Sequence, residues 1–327
     1  MAARLVEIWP NILKYINVVK KRVKSKQPTC MSYKVLVKFS EDSIILPKLQ
    51  VFISLAKIFV PYLKQFQADK PMVPLIYDSL KDIVLTLLKK IVTDKAYSEC
   101  SSLDRVKKLN FDDSKNFIPA KKLNLPFAVS ESIEQIRPPE SKAMEFKCAV
   151  KSLYITCTEK LLEKSSIKID TIANLDCFNP KSVLGKSLTV LTKKLKALLS
   201  LLVSAKFVKV DDCDEIISQY ADLKSSASSV HRDVFEEFSV ESTRLDDFFN
   251  HTIGKKPSMD KLWGVVKIIL ILSHGQADVE RGFSTNKETL MDNMKEKSLV
   301  SNRIVVDGCS VSTQNYLLLF LIIASTI

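Results

Sequence analysis

Glycine is scarce in this chain, with six in 327 residues. Doubly wound nucleotide-binding folds need several glycine-rich turns, so the scarcity argues against that class and for helices, where glycine is costly. Histidine is scarcer: His231, His251 and His274 have no zinc-finger spacing to a cysteine pair, and no Cys-x-x-Cys occurs. The seven cysteines (Cys30, Cys100, Cys148, Cys157, Cys177, Cys213 and Cys309) are odd in number and widely spaced. That pattern argues against a secreted disulfide framework and for reduced thiols in the cytosol or nucleus. The Gly-x-Ser-x-Gly elbow of serine hydrolases is missing. So are the apolar core and small-residue cleavage site of a signal peptide at the N-terminus. The apolar tail Tyr316–Ile327, "YLLLFLIIASTI", reaches only about half of the ~20 residues a membrane span needs. It is either the end of a buried element or non-native sequence. Neither a membrane partner nor a small-molecule substrate is expected.

Arginine is the other shortage. Only eight of the 49 basic residues are arginine, the residue of bidentate phosphate and guanine contacts. The net charge of +12 is therefore carried by lysine, which suits loose electrostatic attraction to an anionic partner better than sequence readout. A solvated basic face is the alternative. Hydrophobic residues make up 46% of the chain, enough to build a core.

Helical periodicity dominates. Leu5, Ile8, Trp9, Ile12, Leu13, Ile16 and Val19 predict a helix over 4–24, kinked or restarted at Pro10. Residues 47–67 predict a second helix with Pro47 in its first turn, and 72–92 a third. The pattern lapses over 94–140, where "DDSKN" and "IRPPES" predict loop or linker. Helices are expected again over 141–165, capped by Ser141, and over 186–204, 212–223 and 229–250. "WGVVKIILIL" (263–272) is apolar on all sides, and Ser273 with Gln276 then forms a capping box for a helix from about 274 to 291.

Two apparent chemical motifs fail. "PKSVLGKS" (180–187) ends like a phosphate-binding loop but has Pro180 where the loop needs glycine. The acids Asp211, Asp212, Asp214 and Glu215 lack the spacing of a calcium loop and suit a helix N-terminus. His231 and His251 read as structural or solvent-facing.

One block carries more. "SHGQADVERGFSTNKETLMDNMKEKSLVSNRIV" (273–305) resembles the C-terminal dimerisation region of hAT-family transposases, through Ser273, Ala277, Glu280, Arg281, Phe283 and Ser284. "RLVEIWPNI" (4–12) and "FVPYLKQFQADKPMVPLIYDSL" (59–80) are similar to parts of the family's helical insertion. The resemblance implies a mainly α chain: a helical insertion domain followed by the C-terminal helices of an incomplete RNase H-like core. Its parts would be 1–93 and 141–255 (insertion), 94–140 (linker), 256–307 (dimerisation region) and 308–327 (tail). Glu280 would be the third catalytic acid of a site in which three acids hold two divalent metals. The first two acids have no counterpart here, and neither has the DNA-recognition zinc finger. The resemblance therefore implies a transposon-derived fragment that is not an enzyme and holds no cofactor. It would form dimers with itself or related hAT proteins, attract DNA weakly, and reside in the nucleus, with "KKRVKSK" (20–26) as a basic import signal. Without its sheet, the apolar face of 263–272 is expected to stand partly exposed. The rival reading is an unrelated all-helical scaffold in which Glu280 and Arg281 form a structural pair.

Overall fold

The computed structural model describes residues 2–22, 27–68, 70–100 and 103–272. The protein is mainly α: among the described residues the only β-type contact is an isolated antiparallel bridge between Val92 and Phe117. Two compact units form, one from residues up to Tyr62 together with Lys81–Ser165, the other from Leu63–Leu80 together with the residues from Ser166 on. These boundaries differ from those expected from the sequence, because two long helices each contribute to both units.

The first unit opens with α1 (Ala2–Lys20), which runs unbroken through Pro10 and buries Trp9, Ile16 and Val19 on one face. The next helix, α2 (Met31–Ser40), was not expected from the sequence. It is followed by α3 (Ile45–Phe66) and α4 (Val73–Ile91). α4 follows its sequence pattern closely: Leu75, Ile76, Leu80, Ile83, Val84, Leu87, Leu88 and Ile91 are all buried.

The expected linker over 94–140 is instead a structured part of this unit. Thr93 caps α5 (Asp94–Glu99) by accepting from the Ala96 amide, and α6 (Leu103–Val106) and α7 (Phe127–Ile136) follow. The Ile118 amide donates to the Ile91 carbonyl at 2.8 Å, pinning the segment to the end of α4. Val106, Phe117, Leu123, Leu125 and Val129 are buried. Short helices with few apolar residues each escape a periodicity reading, and the prolines here start helices: Pro126 and Pro139 stand at the N-caps of α7 and α8 (Glu140–Lys164). Ser141, the expected cap, lies inside α8. That helix buries Phe146, Val150, Tyr154 and Thr158, a stripe with a step of four.

The second unit continues with α9 (Asp170–Leu175), α10 (Pro180–Gly185), α11 (Leu188–Ser204) and α12 (Cys213–Ser228). The helix expected over 229–250 is broken into α13 (Arg232–Glu236) and α14 (Leu245–Phe249), separated by a turn in which the Thr243 amide donates to the Ser239 carbonyl. α14 widens into a π turn over Asn250–Gly254, and α15 (Asp260–Leu270) closes the described chain. α11 packs on α9 and α12, α10 on α12 and α13, and α15 on α12 and α14. Edge-to-face rings form the centre: Phe178 against Tyr220 at 5.8 Å, and Phe248 against Phe235 and Phe238, each at 4.9 Å. Such pairs add roughly 0.5–1.5 kcal/mol each beyond burial. At Gly254 a side chain would meet Asn250 Oδ1 at 2.6 Å and the Trp263 ring at 3.1 Å, so this position has no room for a Cβ.

The exposure expected for 263–272 holds only in part: Trp263, Ile268 and Leu270 are half-buried, but the other side of the helix is covered. Leu262, Val265, Val266 and Ile269 are buried against α12 and α14, while Lys267 and Ile271 face solvent. The helix is amphipathic rather than apolar all round, and helices supply the cover that a sheet was expected to give. Gln219 of α12, itself buried, fixes the start of α15 by accepting from the Leu262 amide at 2.8 Å.

Candidate functional site

The motif residues Ser273, Ala277, Glu280, Arg281, Phe283 and Ser284 lie outside the described residues, as do the expected capping box and Cys309. What the described chain places together is a buried ionic cluster in the second unit, in a stretch whose sequence has no regular period.

Its centre is Asp176, fully buried at the start of a 3-10 turn, Asp176–Phe178, between α9 and α10. The turn forms because Asn179 caps α10, accepting from the Lys181 amide at 3.1 Å, and Pro180 occupies the first helical position. The turn packs against α10, and the Asp176 side chain meets that helix at Ser182. There Ser182 Oγ donates to Oδ1 at 2.5 Å. Lys194 Nζ, from α11, donates to Oδ2 at 2.5 Å and to the Ala173 carbonyl at 2.8 Å. Lys186 Nζ donates to the same Oδ2. A second acid joins from α4: the Asp78 carboxyl hydrogen-bonds Asp176 and accepts from Asn179 Nδ2 at 2.8 Å. Lys194 also lies over the Tyr77 ring, 5.4 Å from its centroid.

The electrostatics follow from these partners. Burial raises the Asp176 carboxyl, but hydrogen bonds from Asp78, Lys186, Lys194 and Ser182 outweigh it and lower the group from 3.8 to about 2. The neighbouring Cys177 thiol is fully buried, and burial with the adjacent Asp176 charge pushes it far up, so it stays protonated and inert. The Cys177 carbonyl accepts from Tyr220 Oη at 2.5 Å, tying the turn to α12. Two acids matched by two lysines, a serine and an asparagine form a satisfied lock between α4, the turn, α10 and α11. Oδ2 of Asp176 is occupied by two ammonium groups, so the cluster holds elements together rather than offering an open ligand position.

The other candidates are equally committed. Lys186, the lysine of the phosphate-loop-like "PKSVLGKS", is the one bound to Asp176. In the acid cluster, Asp212 pairs with Lys261 at 2.9 Å and Glu215 accepts from Gln219 at 3.1 Å. Asp214 and Glu215 lie in the first turn of α12, where a helix dipole favours them. His231 lies 3.2 Å from Lys256 Nζ, and burial with the Lys256 and His251 charges pushes its imidazole down. Among the described residues no three of His, Cys, Asp and Glu converge as metal ligands. Six cysteines there are free thiols.

Sequence reading missed the Asp78–Asp176 lock. The available signal was local: Asp176 sits between Leu175 and Cys177–Phe178 just before Asn-Pro, an acid in an apolar turn that burial would force to find cations. Comparison with protein-family models, curated proteins and solved structures found no match.

Proposed function

We propose that the chain is a hAT-transposase-derived helical protein that acts through association, with itself or with related hAT proteins, and through weak lysine-borne attraction to DNA in the nucleus. The observation that carries this reading is the order of α15 and the motif: in sequence, a helix with one face well buried is followed directly by Ser273–Ser284. Strand transfer needs three acids around two metals, and only Glu280 has a counterpart in the family pattern. Asp78 and Asp176 do not replace the others: Asp176 is bound by Lys186 and Lys194, and Asp78 by Asn179, Ser182 and Asp176 itself. On this reading the chain's role is association rather than strand transfer. Its test is the light-scattering mass of the purified chain with and without a short DNA duplex at low and moderate salt. A dimer that takes up DNA and releases it as salt rises is expected. A monomer indifferent to DNA refutes the reading.

A second reading is favoured by one observation. The buried face of α15 and the edge-to-face ring cluster give the second unit a core with no sheet among its described residues. An unrelated all-helical interaction scaffold would have such a core, with Glu280 and Arg281 paired structurally. That scaffold predicts the DNA-indifferent monomer.

A further inference from the structure

α3 is long and apolar enough to cross a membrane by length and composition, yet only 17% of its most apolar window is buried. Few of its residues are buried: Pro47, Val51 and, at its end, Phe66. At 100° per residue, Leu49, Phe52, Ala56, Phe59 and Val60 share the opposite side, with Lys48 at one border and Lys57 at the other. Phe52 is 59% exposed and Val60 40%. α2 repeats the design. Met31, Val35 and Phe39 recur at a step of four on its exposed side, interleaved with Lys34 and Lys38, while Tyr33 is buried opposite. α1, packed on α2, adds exposed Tyr15 and Val18 beside Lys14.

Charge is concentrated in the same stretch. Residues 1–64 hold twelve lysines and arginines against three acids, a balance of +9 within a chain of +12. Each of the three acids is already paired: Glu7 with Arg4, Glu41 with Lys20, and Asp42 with Lys48.

We infer that the exposed sides of α2 and α3 each dock on an anionic phospholipid surface, with Met31, Val35, Phe39, Phe52 and Val60 entering the interface and Lys34, Lys38 and Lys57 meeting headgroups. Exposed apolar side chains bordered by lysine on amphipathic helices are what an interfacial helix needs. A second copy of the chain would bring the same positive charge against this face. A nucleic acid would meet the lysines but leave the methionine, valines and phenylalanines in water, and only two of the twelve cations are arginine. Spanning is disfavoured by Lys57, which sits mid-helix. The face adds a lipid partner that the sequence alone did not lead us to expect.

The experiment is co-sedimentation of the full chain with phosphatidylcholine vesicles, either pure or containing about a third phosphatidylserine, at low and moderate salt. Binding to the phosphatidylserine vesicles, falling with salt, is expected. The double variant Phe52→Asp/Val60→Asp should reduce the bound fraction by about tenfold or more, because both apolar anchors are replaced by anions. Both positions are exposed, and unchanged circular dichroism verifies the fold of the variant. Absence of sedimentation with phosphatidylserine vesicles overturns the inference, as does equal binding to pure phosphatidylcholine. Two further results also overturn it when vesicle binding is absent: duplex DNA binding that the double variant leaves unchanged assigns the charge to nucleic acid, and a dimer that the double variant dissociates assigns the face to a second copy. The DNA readout is separate, so failure here leaves the proposed function standing on its own test.

Discussion

Replacing Asp176 by asparagine should uncouple the second unit from pH while weakening it. The side chains are near-isosteric, so the change removes charge and leaves volume alone. In the folded protein, burial opposes ionisation of Asp176, and Asp78, Lys186, Lys194 and Ser182 overcome it, lowering the carboxyl from 3.8 to about 2. A depressed carboxylate contributes stability above its ordinary value, and that stability is lost as pH falls from about 4 towards 2. The difference corresponds to about 2 kcal/mol. At neutral pH the variant leaves Lys194 and Lys186 facing an amide. Breaking a buried pair costs about 3–5 kcal/mol, and the lysines are partly solvated, so the lower end of that range, about 3 kcal/mol, applies. Urea unfolding followed by Trp263 fluorescence reports this unit, provided Trp9, the only other tryptophan, is replaced by phenylalanine. The wild type should lose about 2 kcal/mol between pH 4 and pH 2 that the variant does not lose. A loss below about 1 kcal/mol at pH 7, or identical acid dependence of the two proteins, refutes the lock.

Other outcomes follow from single contacts. Tyr220→Phe removes the hydroxyl that donates to the Cys177 carbonyl and should cost about 1–3 kcal/mol in the same urea assay. Leu262→Ala opens a cavity between α15 and its neighbours and should cost about 2–5 kcal/mol, whereas Ile271→Ala, on the exposed side, should stay within about 0.5 kcal/mol. Thiol labelling at neutral pH should modify exposed Cys30 and Cys148 first and reach Cys177 only after unfolding, a sequence that mass spectrometry of timed samples would read. Gly254→Ala should destabilise the π turn by forcing Asn250 and Trp263 apart, visible as a lower melting temperature.

Long, one-sided helices were legible from the sequence. α4 carries apolar residues at helical spacing and buries them, and α11 buries the stripe Leu191, Leu195, Leu198 and Leu199 while Leu188, Val190 and Leu201 stay exposed. α2 was not legible because it has apolar residues on both faces: Tyr33 inward and Met31, Val35 and Phe39 outward, so no single stripe stands out. The 94–140 segment looked like a linker because its core contributions come one or two residues at a time, from Val106, Phe117, Leu123 and Val129. The candidate site depends on distance along the chain. Asn179 and Ser182 reach Asp78 across 101 and 104 positions, and no local pattern encodes such a meeting. For α15, a run that reads as apolar on all sides hides an amphipathic helix, and α12 and α14 cover the face that seemed to need a sheet.

The central claim is association through the segment that follows α15. Light-scattering mass of the full chain beside its Phe283→Asp variant tests it most directly, because Phe283 is the apolar residue at the heart of the hAT-like motif. The account predicts a dimer for the parent and a monomer for the variant, both with the same helical circular dichroism. A parent that is monomeric, or a dimer that persists in the variant, contradicts it.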